Sequence, residues 1–497
     1  MPTFLSENEK GEAYDQTTVC SDPGNLPFAF LPVGLRHRNA RQPSQSAGAT
    51  AQTGSDIAEE TTGDHAPDID IKNYNREFAF AKIGSGLDDD FFIPEKALND
   101  GITDATYERA QKIKEHLGVT LVMRDAGDWE GYTKTIQTNV STGTDNLQLA
   151  LTHVYRGIPE LVTNNLVVDF TDLPAVDLEQ SYWNKPLMDE VTIDGKYLIG
   201  YSDFCLAETH CIVFNKRLLS NNGQSLPYEQ VKNHEWTLDE LIARTQDVHK
   251  DLNGDGQRDI QDIYGMSGWG WVYLISFLTS SDFRIVDRDT DDNFRVAYSE
   301  NSDRLSELVE KIRNWYNADG TWFWKSSPAS GTVMAFKDQT SLFQLINTAG
   351  LIELKNYDLQ FGVLPYPLYT VQQPAYRSLN WNGVLCVPNT VTNADMVGET
   401  LELLAYEAAP VKTAFFDRLL GNKVANTEDD QEMLEIIWNS VVTDVGLITA
   451  TSSDEMDRLV YMIPTICEKK NGNFSSYLAK NVRKAQIGLD RLFGQSD

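Results

Sequence analysis

Apolar positions recur at strand-like or helix-like spacing from about Asn73 to the C-terminus, and the two patterns alternate. The stretch REFAFAKIG reads as a strand that ends in the loop Gly84-Ser85-Gly86-Leu87-Asp88-Asp89-Asp90. In TDATYERAQKIKEHLG, Tyr107, Ala110, Ile113 and Leu117 share one helical face, with Thr103 as a cap and Gly118 as the stop. A strand VTLVMRD, a helix from Trp129 to Ser141 and a strand DNLQLALTHVY follow, the last offering Thr152, His153 and Tyr155 at its end. This βαβαβ order predicts an α/β fold built on a mostly parallel, doubly wound sheet. Its ligand crevice should lie beyond the strands' carboxyl ends, at the loops of Gly84, Asp125 and His153.

The middle of the chain repeats the theme. DGKYLIGYSDFCLAETHCIVFNKRLL gives two strands around Asp203 and Glu208, and HEWTLDELIARTQDVHKDL is an amphipathic helix with Thr237 and Glu240 in capping-box positions. That helix leads into KDLNGDGQRDIQDIYG. Gly265, Gly268 and Gly270 then disfavour an immediate second helix, so a strand IYGM and a helix from about Trp271 are expected. SDRLSELVEKIRNWYNADG, TVMAFKDQTSLFQLINTAGLIE, LQFGVLP, SLNWNGVLCVP, MVGETLELLAYEAA and DQEMLEIIWNSVVT complete the α/β pattern, without internal repeat. Residues 38–68, rich in Ser, Thr, Ala, Gln and Gly, have too little apolar surface to offset the entropy of ordering; residues 1–73 are expected to form a disordered tether.

Composition narrows the function. Against 42 Lys and Arg stand 73 Asp and Glu, a formal charge of −31, which repels nucleic acid and argues against it as a partner. No window is apolar enough to span a membrane. The N-terminus has no apolar signal core, and Cys20 follows TTV without one, so the sequence as it stands carries no export address; the chain is either cytoplasmic or its natural start is missing. The five cysteines contain no CxxC pair. Cys205 and Cys211 could bridge, or face different sides of a strand pair; His210 beside Cys211 points to the opposite strand face, which disfavours zinc.

Asp251, Asn253, Asp255, Asp259 and Asp262 occupy the first, third, fifth, ninth and twelfth places of a calcium-type loop, with Gly256 sixth and the Gln257 carbonyl seventh. Asp262 stands where such loops carry Glu and is one methylene shorter. The competing reading is an Asx-rich turn without metal. Bound Ca2+ here would be structural, because no second helix follows to signal through.

The order of motifs GKYLIGYSDF, VFNKRLL, EWTLDELIARTQDVHKDLNGDGQRDIQDIYG, GTVMAFKD, YDLQFGVLPYPLYTVQQPAYRSLNWNGVLCVP and EMLEIIW resembles the extracellular sugar-type solute-binding proteins of bacterial ABC importers, over roughly residues 74–490. The resemblance implies a maltose-binding-protein-like fold of two α/β lobes with ligand between them. It places lobe 1 at 74–207 plus 376–497, lobe 2 at 208–375, and a hinge closing around a carbohydrate, expected to be an oligosaccharide. It further implies a monomer, a permease partner reading the rims of both lobes, and a location on the extracellular membrane face through a lipid anchor. The signal peptide and lipobox of such proteins are absent from this sequence. Where family members stack an aromatic after the GTVMAF strand, this chain has Lys337, Asp338, Gln339 and Thr340.

A sugar site needs aromatic platforms beside fixed polar groups. The candidates are His153, Tyr155, Asp203, Trp269, Trp271, Trp381 and Asn382. Each has a structural alternative: Trp381 packing in the hinge, one of Trp269 and Trp271 facing core, Asp203 pairing with Lys or capping a helix, His153 as a satisfied buried histidine. Trp322-Phe323-Trp324 is expected in a surface loop, and Trp183, Trp236, Trp315 and Trp438 in the core. GxSxG, HExxH, P-loop and GxGxxG motifs are absent, which disfavours catalysis. The alternatives are a secreted glycan-active enzyme with an accessory calcium loop, and an adhesion or scaffold module.

Overall fold

Two sheets divide the strands of the computed structural model, which describes residues 65–82, 101–127, 131–204, 208–299, 302–325, 334–354, 357–381, 383–420, 427–469 and 472–494. The first sheet contains β1 (Arg76–Lys82), β2 (Val119–Arg124), β3 (Leu149–His153) and β13 (Gly383–Cys386) in the order β13-β3-β1-β2. β1 runs parallel to β2 and β3, and β13 antiparallel to β3. The second holds β4 (His210–Asn215), β5 (His249–Lys250), β6 (Ile263–Trp269), β9 (Thr321–Trp324), β10 (Ser341–Asn347) and β11 (Phe361–Leu364), ordered β11-β4-β10-β6-β5 with β9 also on β6. This sheet is mixed, because β4 runs antiparallel to both neighbours while β10 and β9 run parallel to β6. Two α/β lobes result. The pairs β7 (Val286–Arg288) with β8 (Phe294–Val296), and β12 (Ser378–Leu379) with β14 (Val441–Val442), lie outside both sheets.

The helical face expected from Tyr107 to Leu117 buries Ile113 and Leu117 completely. The helix Gly101–Leu117 starts earlier than Thr103, so Thr103 is a buried residue of its first turn rather than its cap. Gly118 ends it at φ 64°, and a Cβ there would lie 2.1 Å from Asn73 Oδ1, so glycine is required. That close approach comes from residues 65–73, which were expected to be tether. Ile69 is buried, Tyr74 N–H donates to Leu117 O at 2.8 Å, and Lys72 and Tyr74 both reach Glu399. Apolar anchoring at Ile69 and these bonds offset the ordering entropy that composition alone left uncompensated. Residues 1–64, with Cys20, lie outside the described residues.

In the second lobe every residue of β4 is buried, and Thr237 Oγ1 accepts from Glu240 N at 3.3 Å as the N-cap of the helix Leu238–Thr245. Trp322, Phe323 and Trp324 form β9 rather than a surface loop, because register with Ser267, Gly268 and Trp269 supplies their backbone partners. Of the segment expected as a GTVMAF strand, residues 331–333 lie outside the described residues, Met334–Lys337 is a helical turn, and the strand that follows is β10. Trp183, Trp236 and Trp315 are buried in the core, and Trp438 packs against Phe415 and Phe416 at its edge. The C-terminal helices depart from the expected 376–497 grouping. Helix Ala394–Tyr406 packs on the first lobe, while Glu428–Asn439 lies against β11, and Met462–Glu468 and Phe474–Leu492 against Ser302–Tyr316. Amphipathic spacing marks each helix's apolar stripe but not the sheet that covers it.

Candidate ligand-binding cleft

The lobes meet where three segments lie side by side. Gly200 and Leu385 exchange backbone hydrogen bonds at 2.8 and 2.9 Å. Trp381 N donates to Glu208 O at 2.8 Å, and Thr209 Oγ1 to Leu379 O at 2.7 Å. Asn380 N donates to Val442 O at 3.0 Å, and its Nδ2 to Thr443 Oγ1 at 3.0 Å. Trp381 thereby sits between the end of β3 in one lobe and the start of β4 in the other, paired sideways through Gly383 with His153.

Around it the rings form one connected assembly. Trp381 meets His153 edge-on at 5.0 Å, stacks on Tyr155 at 6.0 Å, and lies 5.3 Å from His210. Tyr461 meets Tyr155 edge-on at 5.6 Å and stacks on Trp271 at 4.9 Å. Tyr273 joins His210 at 4.8 Å to Trp269 at 6.5 Å. Trp381, Tyr155, Trp269 and Trp271 are each only partly buried, so aromatic surface stays open to solvent.

Polar groups are interleaved with the rings. Asp457 accepts from the Tyr155 hydroxyl, and burial raises the pKa of both groups. Asn347, at the end of β10, donates to the buried Glu208 carboxylate. Burial holds His153 down at about 4 and His210 at about 3, the latter with a further contribution from His153, so both imidazoles are neutral near pH 7. His153 Nδ1 accepts from Tyr155 N at 3.1 Å, which leaves the proton on Nε2. His210 Nδ1 pairs with Ser276 Oγ at 2.6 Å, while its Nε2 and the indole Nε1 of Trp269 are buried without partners among the described residues. A buried polar atom without a partner carries a desolvation cost that an incoming hydroxyl would remove.

Of the expected ligand residues, His153, Tyr155, Trp269, Trp271 and Trp381 fall in this assembly, and Asn382 lies outside the described residues. Asp203 stands apart, both carboxylate oxygens paired with Lys412 Nζ at 3.0 and 3.1 Å. The fold adds His210, Tyr273, Tyr461, Asp457, Glu208 and Asn347. His210 carries a sequence signal, since it opens the apolar run HCIVFN, where a ring is buried beside the crossing. Tyr461 and Asp457 come from a helical region with no local mark of a site. At the crevice loops, Asp125 accepts from Gly127 N at 2.8 Å in an exposed turn, and Gly84 lies outside the described residues.

The 251–262 loop is held by its own side chains. Asp251 accepts from Gly254 N and Gly256 N at 2.6 and 2.9 Å, Asn253 from Asp255 N at 3.0 Å, and Asp255 from Gln257 N at 2.7 Å. Gly256 adopts φ 72°, the left-handed turn its sixth position needs. Asp262 is buried, bonded to His249 Nε2 at 3.1 Å and Leu252 N at 3.3 Å, and the His249 bond chiefly lowers its pKa. The carboxylates of the first half retain lone pairs suited to a hard cation, whereas the twelfth is directed toward His249. Among the described residues no three acidic, His or Cys side chains converge as a metal cluster. Cys211, Cys386 and Cys467 are free buried thiols; Cys205 lies outside the described residues.

The sequence profile of the bacterial extracellular solute-binding proteins matches residues 105–427. No curated protein sequence matches the chain. Among solved structures, a sugar transporter from Rhizobium etli in an open conformation is similar with 14% identity and a TM-score of 0.56, over 83% of this chain and 99% of that one. The sugar-binding protein MalE of Xanthomonas citri gives 13% and 0.56 over 85% and 100%, and UgpB of Mycobacterium tuberculosis, in complex with glycerophosphocholine, 14% and 0.56 over 84% and 98%. At such identities the likeness is one of fold. Among the described residues no helix is long and apolar enough to cross a membrane. With its profile match running through most of both lobes, the chain belongs to the bacterial extracellular solute-binding protein family.

Proposed function

We propose that this protein is the solute-binding component of an ABC importer, holding a carbohydrate, an oligosaccharide by the extent of its rings, between its lobes for delivery to a membrane permease. The observation that carries this reading is the ring assembly from Trp271 through Tyr461 and Tyr155 to Trp381, which crosses the lobe junction and is studded with neutral imidazoles and carboxylates. Indole and phenol faces suit the C–H faces of a sugar, and His210 Nε2 and Trp269 Nε1 would take hydroxyls as partners. The same reading has the protein acting as a monomer, without catalysis, on the extracellular membrane face behind a lipid-anchored tether. A thermal-shift screen of the full chain against a glycan library, followed by product analysis of each hit, tests it. Saturable stabilisation with the glycan recovered intact is expected; turnover of the stabilising glycan would sink the reading.

The reading includes a structural Ca2+ in the 251–262 loop, held by Asp251, Asn253, Asp255, the Gln257 carbonyl and Asp259, with Asp262 closing the site once released from His249. The ion would supply charge neutralisation for clustered carboxylates, nothing more. Chelator is expected to lower Tm and expose the loop to protease while glycan affinity stays within about twofold. Unchanged Tm and cleavage would remove calcium from the picture.

A further inference from the structure

A cavity of about 520 Å3, lined by none of the residues of the ring assembly, lies between the short helix Ile158–Thr163 of the first lobe and the C-terminal helix Phe474–Leu492. Its lining joins Thr163, Ser452, Ser453 and Glu455 to Lys484 and Arg491, with Ile487 and Leu492 as apolar wall. Two features mark it as unfinished. Ser452 Oγ, and Thr451 Oγ1 next to it, are shielded from solvent and have no hydrogen-bond partner among the described residues. The C-terminal helix is also basic on a chain of formal charge −31, with exposed Lys480, Arg483, Lys484 and Arg491 against Asp490 alone. Lys484 lies 3.5 Å from Glu455, while Arg491 makes no ion pair among the described residues.

We propose that this cavity binds the phosphate group of a small phosphate ester, clamped by Lys484 and Arg491 with the Ser452 and Ser453 hydroxyls donating to its oxygens. Two cations and two hydroxyls against one carboxylate favour an oxyanion, and guanidinium matches phosphate geometry. The volume exceeds the needs of a lone phosphate and lies in the range of small-molecule pockets, so Ile487 and Leu492 would pack the carbon part of the ester. Thr163 brings the other lobe into the same lining, and a ligand there bridges the two. The proposal does not rest on the cleft's carbohydrate.

Titration calorimetry of the full chain in calcium-free buffer, with glycerol 3-phosphate and with glycerol as the neutral control, tests it. A free phosphate ester as the source predicts saturable binding of glycerol 3-phosphate alone. Arg491→Gln and Lys484→Gln should each weaken it about tenfold or more and Ser452→Ala about threefold. Lys480→Gln, on the same helix outside the cavity, should leave it unchanged. A lipid headgroup as the source predicts the same variant order in co-sedimentation with phosphatidylglycerol vesicles and no binding of the free ester. Absence of binding in both arms, or equal weakening by Lys480→Gln and Arg491→Gln, overturns the site.

Discussion

The 251–262 loop and the ring assembly at the lobe junction are both dense in candidate ligand groups, yet they are built in opposite ways. The bonds of the loop's Asx side chains stay within a single local stretch, from His249 to Asp262, while Arg258 fastens the loop to the carbonyls of Asp319 and Thr321 at 3.0 and 2.8 Å. The cleft's bonds cross the chain: Tyr155 and Asp457 are 302 positions apart. A local motif keeps its shape from short-range Asx turns. A cleft exists only while both lobes and the hinge segments are in place.

The largest expected separation is in ligand affinity. Trp381→Ala should weaken the glycan found by the stabilisation screen about 100-fold by calorimetry, since Trp381 packs against rings from both lobes. Asp255→Ala in the loop should change affinity less than twofold. Equal losses would erase the distinction.

Next is the response to acid, which belongs to the junction. Unfolded imidazoles protonate below about 6.5, whereas buried His153 and His210 stay neutral to about 4 and about 3. As pH falls below 6.5 the unfolded chain therefore takes up protons first and stability drops. Asp444, at the junction, opposes this. Burial raises it to about 6, so the folded state takes its proton first, which stabilises the fold between about 6 and about 4. The raised carboxyl of Asp457 acts in the same direction as Asp444, the two histidines outweigh both, and a net loss on the order of 2 kcal/mol from pH 7 to 4.5 is expected from denaturant melts. Asp444→Asn should steepen the fall; a flat profile contradicts neutral buried histidines.

The loop's own contribution is smaller. Asp262→Ala removes the acceptor for His249 and Leu252 N and should lower Tm by roughly 2–4 °C with glycan affinity intact. Thr237→Ala, uncapping the helix before the loop, should cost about 1 kcal/mol or less and leave binding unchanged. A change in glycan affinity from either variant would tie the loop to the cleft after all.

This contrast also accounts for what could be read from sequence. Loop spacing, the Thr237 cap and the Gly118 stop rest on neighbours in the chain, and each appears as a residue pattern. The rings of His153, Tyr155, Trp269, Trp271 and Trp381 could be nominated by type and by position at strand ends. Their mutual contacts could not, because those depend on how 208–209 and 380–381 pair. Tyr461 and Asp457 are not legible in the sequence for the same reason: helical periodicity gives a buried side, not the partner that a particular residue meets. Asp203 has the right residue type beside the right crossing, but Lys412, 209 positions away, takes its charge.

The three hydrogen-bonded segments between the lobes have a mechanical consequence. A single connecting ribbon would let one lobe swivel freely about its length. Segments tied edge to edge, through Trp381 to Glu208 and Asn380 to Val442, behave as a flat spring, stiff in its plane and compliant across it. Under the proposed transport role, ligand occupancy would be converted into one bending angle, a single mechanical coordinate for a permease at the rims to read.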